Sequence, residues 1–184
     1  METQFSDAEL LIACGSGSRD AFESLYDRHQ KRVYSVAFNY FGGNDDRAGD
    51  VTQQVFLKLF RQAVQFRGDS DFTTWLYRVT INACIDEHRK HRRFFGLADF
   101  FDLAGPAFVQ EDRIQRKEVS LEVQKVVGTL KPKVRAPVLL RYVEGLSYEE
   151  IAKILDCSVG TVSSRLNRGH KQLAKKLGHL RSQI

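Results

Sequence analysis

"EGLSYEEIAKILDCSVGTVSSRLNRGHKQLAKKL", residues 144–177, holds two helical patterns with only a few residues between them. Ser147 and Glu150 have capping-box spacing: the Ser147 hydroxyl accepts from the Glu150 backbone N–H, and the Glu150 carboxylate reaches back. Ile151, Ile154 and Leu155 then form one apolar face. Asp156-Cys157-Ser158 interrupts the pattern, and Ser158 supplies the next cap. On the second helix Val159, Val162, Leu166, Leu173 and Leu177 fall on one side. Thr161, Ser164, Asn167, Arg168, Lys171 and Lys175 fall mostly on the other. Two short helices joined by a tight turn, the second turning polar residues outward, form a helix-turn-helix, whose second helix is sized to enter a major groove.

Charge agrees with that reading. From Gly160 to the last residue there are six Lys or Arg and no Asp or Glu. Such residues neutralise phosphates and release counterions, and an Arg can reach two acceptors on guanine. A solvated basic helix in a protein-binding bundle is the competing explanation. The pattern favours duplex DNA.

The remainder of the chain sets bounds. Its 184 residues suit one large or two small domains. A net charge of +5 is mild, so its distribution matters more than its sum. Cys14, Cys84 and Cys157 are far apart and odd in number, which implies no disulfide framework and suits a reducing cytosol. The first residues have no basic n-region, and no stretch reaches the ~18 apolar residues of a membrane span. A cytoplasmic protein is expected.

Working toward the N-terminus, only three prolines occur, at 106, 132 and 137. Pro132 suits a first helical turn, whereas Pro137 removes a backbone bond early in that helix and is expected to delay or distort it. Apolar spacing in the first half predicts four helices, over about 6–14, 18–41, 45–65 and 71–92. Gly42-Gly43-Asn44 breaks the pattern, and Asn44 caps the next start. Residues 94–112 differ: no Lys or Arg, four acidic residues and five Phe. The expectation is an all-α protein of two small helical domains, 1–93 and 117–184, joined by a linker over 94–116.

The quoted helix-turn-helix resembles the C-terminal promoter-reading domain of extracytoplasmic-function (ECF) sigma factors of bacterial RNA polymerase. Independently, AFESLYDRHQKRVYSVA (21–37) resembles that family's opening helices. DRAGDVTQQVFLKLFRQAVQFRGDSDFTTWLYRVTINACIDEHRKHRR (46–93) resembles its polymerase-binding and −10-binding segment. Both blocks occur in the right order over nearly the whole chain. The resemblance implies an initiation factor that binds core RNA polymerase, reads −35 and −10 promoter DNA and promotes melting, without being an enzyme itself. It also implies an anti-sigma partner.

Site residues follow from the resemblance one at a time. Asp50, Gln53, Gln54, Val55 and Phe56 match the part that docks on core polymerase. Phe66, Arg67, Asp69, Ser70 and Phe72 match the loop that captures a flipped −10 base. Asn82, Arg89, Arg92 and Arg93 match the helix below it, with Asn82 expected about two turns in and within reach of the loop. Ser163, Ser164, Asn167 and Arg168 match positions facing −35 bases. Thr161, Arg165 and Lys171 match phosphate contacts, though Arg165 lies near the apolar stripe, where an intramolecular role is an alternative. Gly49 replaces a usual Glu, Ser163 an often basic residue, Asn167 an often aromatic residue or His, and Gly169-His170 the common Ala-Arg.

Other classes fit less well. A stand-alone helix-turn-helix regulator would bind DNA without polymerase. An enzyme would need a nucleophile-base set, a phosphate loop or paired carboxylates, and none is evident. Cys84, His88 and His91 share a helix face at metal-ligand spacing, but no fourth ligand is apparent. No metal and no cofactor are expected.

Overall fold

Ser6 starts the first helix with a complete capping box: its backbone N–H donates to Glu9 Oε2 at 2.8 Å, and its Oγ accepts from the Glu9 N–H at 3.3 Å. In the computed structural model, residues 5–63, 71–95 and 114–178 are described. They form eight helices: α1 (Asp7–Gly15), α2 (Arg19–Tyr40), α3 (Asp45–Gln62), α4 (Phe72–Phe95), α5 (Ile114–Gly128), α6 (Pro132–Tyr142), α7 (Tyr148–Leu155) and α8 (Val159–Lys176). No strand occurs among the described residues. Nor is any described helix long and apolar enough to cross a membrane.

Local chemistry sets the boundaries. Ser18 Oγ accepts from the Ala21 N–H, and Asn44 Oδ1 from the Arg47 N–H. Gly42 and Gly43 have φ of +68° and +92°, a region open to glycine, and so turn the chain between α2 and α3. α4 starts beyond Asp71, whose carboxylate accepts from the Thr74 N–H. α6 has Pro132 in its first turn and runs through Pro137 without interruption, contrary to the expected delay or distortion. The bond lost there belongs to the carbonyl of Lys133, an exposed residue that water can serve.

Two apolar clusters form. The first joins Leu11, Leu25, Val33, Val51, Val55, Leu59 and Leu76 from α1–α4. The second gathers Leu130, Leu140, Ile151, Ile154, Val162 and Leu166 around the helix-turn-helix, and it also takes in Val36, Tyr77 and Ile81 from α2 and α4. The two halves therefore share a core rather than hanging apart. Helix extends into both ends of the stretch expected to be linker, since α4 runs to Phe95 and α5 begins at Ile114. Residues 96–113, with the Phe-rich acidic composition, lie outside the described residues.

Candidate nucleic-acid interface

The turn between α7 and α8 is closed by side chains the sequence marks for it. Ser147 and Glu150 bond reciprocally, the Ser147 N–H to Glu150 Oε2 at 2.7 Å and the Glu150 N–H to Ser147 Oγ at 3.2 Å. Those bonds hold the Glu150 carboxyl below its ordinary value. Asp156 ends α7 at φ +49°, a left-handed conformation that Asp tolerates better than most. The Cys157 N–H then returns to the Ala152 carbonyl, and Ser158 Oγ accepts from the Thr161 N–H to start α8.

α8 lies close on α6. Val162 and Leu166 are fully buried, and Gly169 is buried where a Cβ would sit 2.6 Å from Val138 Cγ2 and 3.3 Å from Val134 Cγ1. Gly in place of the Ala that the resemblance led one to expect here thus has a steric reason. It sets the approach of α8 to α6 and fixes which face turns outward. On that outward face Ser163, Ser164, Asn167, Arg168 and Lys171 are exposed, and Thr161 and Arg165 are half-buried. The Thr161 and Ser158 hydroxyls bond each other at 2.9 Å, and Ser164 Oγ donates to the Thr161 carbonyl at 3.0 Å. Arg165 Nη1 points back at Cys157 Sγ, 3.8 Å away, so the intramolecular alternative describes its position. Ser163, Asn167, Arg168 and Lys171 have no hydrogen-bond partner among the described residues. They leave polar groups free toward solvent on one side of the helix.

α4 presents a second polar surface. Asn82, Arg89 and Arg93 are exposed and, seven and then four residues apart, share a helix face. Arg78, four residues before Asn82, extends that stripe. Arg89 has a weak exposed pairing with Asp86 at 3.5 Å. Two expectations need correction. Phe72 is buried, its ring 5.0 Å from His29 and 6.1 Å from Trp75, so it anchors the start of α4 in the core. And because α4 begins at Phe72, Asn82 lies ten residues on, ~15 Å along the axis, nearly three turns in rather than about two. Phe66, Arg67, Asp69 and Ser70 lie outside the described residues, as does the Arg92 side chain.

On α3, Asp50, Gln53 and Gln54 face solvent, but Val55 and Phe56 are buried in the first core. Val55 is wholly enclosed, whereas Phe56 lies on the floor of a groove between α2 and α3. The residues that are free were not singled out from the sequence: Leu57 is 51% exposed, Phe60 47% and Tyr26, from α2, 37%. Leu57 falls out of register with Val51, Val55 and Leu59, and that was the available signal. Tyr26, Lys31, Tyr34, Gly49, Gln53 and Leu57 help line an open groove of about 620 Å³ between α2 and α3. Gly49 leaves that groove unfilled, with nothing within 4 Å of where its Cβ would be.

Cys84, from the metal-spaced set on α4, is fully buried, and burial pushes its thiol up, away from the thiolate that zinc requires. Among the described residues no three His, Cys, Asp or Glu side chains gather to hold a metal.

Comparison with known proteins places the chain in a lineage. Residues 25–94 match the Sigma-70 region 2 family and residues 120–173 the Sigma-70 region 4 family. The chain is 33% identical to the ECF RNA polymerase sigma-E factor of Escherichia coli, over 96% of this chain and 97% of that one. It is 32% identical to the sigma-E factor of Haemophilus influenzae, over 96% and 98%. For the ECF sigma factor SigW of Bacillus subtilis the identity is 30%, over 89% and 92%. Among solved structures, CnrH in complex with the cytosolic domain of CnrY superposes with a TM-score of 0.68 at 25% identity, covering 94% of this chain and 97% of that one. The likeness runs through both halves and the order in which they are joined, and on that footing the chain belongs to the ECF sigma factors of RNA polymerase.

Proposed function

We propose that this chain directs core RNA polymerase to promoters by presenting α8 to a −35 major groove and α4 to the −10 strand, while the exposed face of α3 docks on the polymerase. The observation that carries the reading is the outward face of α8: packed by Gly169 onto α6, it leaves Asn167 and Arg168 unbonded and aimed at solvent. Ser163, Asn167 and Arg168 are the base readers in this reading, with Lys171 on phosphate. Thr161 and Ser164 spend hydroxyls on the helix start and act through their outer atoms. Arg165 braces the turn.

On α4 the stripe Asn82, Arg89 and Arg93 follows a melted strand as it leaves the preceding loop, with cations tracking phosphates. On α3, Asp50, Gln53 and Gln54 frame an apolar contact made by Leu57 and Phe60. The chain lends specificity and leaves catalysis to the polymerase, and it works in the cytoplasm where that polymerase works. An anti-sigma factor belongs to this reading as regulator. CnrH, with which the chain shares both halves, was solved with the cytosolic domain of CnrY.

The test is run-off transcription with core polymerase on a library randomised at −35. A bidentate Arg–guanine contact is worth ~1–3 kcal/mol of discrimination, so Arg168→Ala relaxes preference at one position. Lys171→Ala instead weakens all sequences alike and lowers the salt slope. An unchanged −35 profile with Arg168→Ala removes α8 from the groove. Tight, specific operator binding without polymerase would support the stand-alone regulator instead.

A further inference from the structure

Val159 opens α8, where its spacing puts it with the apolar residues Val162 and Leu166. Those two are fully buried in the second core, whereas Val159 is 41% exposed and does not pack on that core. The helix start does not depend on it either, since Ser158 Oγ caps α8 by accepting from the Thr161 N–H. Residues four apart on an α-helix lie nearly above one another, stepping ~40° round the axis each time. Val159, Ser163 and Asn167 therefore form one row, and all three are exposed. The next row, Gly160, Ser164 and Arg168, is exposed as well.

Side-chain length divides this face in two. Over the first two turns it carries Val159, Gly160, Ser163 and Ser164, none of them long. A Cβ on Gly160 would meet only Ser158 Oγ, at 3.9 Å, so no internal crowding demands a glycine there. From Arg168 onward the outward residues are Arg168, Lys171 and Lys175, all exposed. A partner comes closest to the first half, while cations in the second half meet it at arm's length. Charge selects duplex DNA as that partner: from Gly160 to the last residue there are six Lys or Arg and no Asp or Glu. In a helix-turn-helix it is the first residues of the second helix that touch base edges, and Val159 is the first residue of α8.

A short hydrocarbon and a short amide on one row make a specific demand. A carboxamide offers a donor and an acceptor side by side, the complement of the N6 donor and N7 acceptor of adenine, whereas an arginine favours guanine. The Asn167 amide has no hydrogen-bond partner among the described residues, so both groups are available. The Val159 methyl groups bond nothing, and the apolar group a major groove offers them is the C5-methyl of thymine. Ser163, between the two, is short enough to let both approach. Eight residues separate Val159 from Asn167, ~12 Å of axis, which spans no more than about four base pairs at ~3.4 Å each. On the sigma-factor reading, we infer that the row Val159–Ser163–Asn167 reads A·T pairs in the −35 major groove. Val159 packs on a thymine methyl group, and Asn167 bonds the N6–N7 edge of an adenine, beside the guanine that Arg168 reads.

The test is run-off transcription by the full chain with core polymerase, first on templates randomised at −35, then on the preferred sequence carrying single modified bases. Uracil for thymine removes only the methyl group. 7-Deazaadenine for adenine replaces the N7 acceptor with carbon. Both keep base pairing. One uracil position is expected to lower initiation about two- to fourfold, the size expected for one buried methyl group, and Val159→Ala holoenzyme should be indifferent to it. One 7-deazaadenine position is expected to lower initiation at least about fivefold, and Asn167→Ala holoenzyme should be indifferent to that one. Both variants should keep the guanine preference, since Arg168 is untouched. A wild-type holoenzyme insensitive to uracil at every position, or a Val159→Ala holoenzyme as sensitive as wild type, overturns the role of Val159. The same outcomes with 7-deazaadenine and Asn167→Ala overturn that of Asn167. Either result leaves the sigma-factor reading standing. Absence of promoter-dependent run-off on every unmodified template overturns the sigma-factor reading, and the A·T readout with it.

Discussion

α3 and α8 are written in nearly the same chemistry, apolar residues at helical spacing with polar ones between, yet they answer differently to the same reasoning. On α8 five of the seven polar residues singled out from the sequence are exposed, and the side chains of four of them have no hydrogen-bond partner among the described residues. On α3 two of the five, Val55 and Phe56, are inside the core, and the free apolar residues are Leu57 and Phe60. The difference lies in what surrounds each helix. α8 covers its neighbours with one narrow stripe and shows all else to solvent. α3 is flanked by α2 and α4 and touches α1, so its buried arc is wide, and the boundary between core and surface falls between adjacent residues.

Truncating one leucine on each helix breaks that comparison most sharply. Leu166→Ala, on α8, deletes a side chain that is 1% exposed. It should cost ~2–5 kcal/mol of stability in chemical denaturation, a transfer loss plus a cavity. Leu57→Ala, on α3, should change stability by less than ~0.5 kcal/mol and instead weaken the holoenzyme, read by titration of core polymerase. If Leu57→Ala unfolds the protein while leaving polymerase affinity intact, the exposed strip on α3 is structural and the docking assignment moves elsewhere.

Of intermediate size is the effect expected from Asn82→Ala. Loss of an amide that reads an extruded base leaves its partners short, at roughly 1–3 kcal/mol. The effect should show in open-complex formation and not in polymerase binding. Permanganate reactivity of −10 thymines at equal occupancy measures it, and equal reactivity removes Asn82 from the strand path. Because Asn82 stands ten residues along α4, on one stripe with Arg89 and Arg93, the affected base should be one that this stripe passes.

The smallest effect sharpens the contrast between the helices' glycines. Gly49 on α3 has open space around it, so Gly49→Ala should stabilise by ~0.5–1 kcal/mol through helix propensity alone. A shift of the denaturation midpoint in the other direction would mean that the glycine serves the backbone of α3 in a way its surroundings do not show.

Local bonding explains what could be read in advance. Ser147, Ser158 and Asn44 cap helices three residues downstream, and a cap is written within a few letters of sequence. The face of α8 was legible for a related reason, since one apolar stripe fixes the opposite side. Arg135 was not legible, because its partner carbonyl at Tyr40 is 95 residues away. The same holds for Phe72: an aromatic beside a polar loop reads as a base platform until His29 and Trp75 are seen around it. Pro137 misled in the other direction, since the cost of a missing bond depends on whether the orphaned carbonyl belongs to a residue at the surface.

Gly169 carries a consequence for the order in which this helix-turn-helix can change. Any side chain there collides first with Val138 and then with Val134, so substituting position 169 alone should be penalised even though alanine is the better helix former. Trimming Val138 to Ala removes the nearer obstacle, at the cost of a small cavity that the new methyl group then fills. The two changes are therefore tolerated in one sequence and resisted in the other, a strong non-additivity between residues in contact. Descendants of this chain that acquire the more usual residue at 169 should carry a smaller one at 138, and that pair of positions records which step came first.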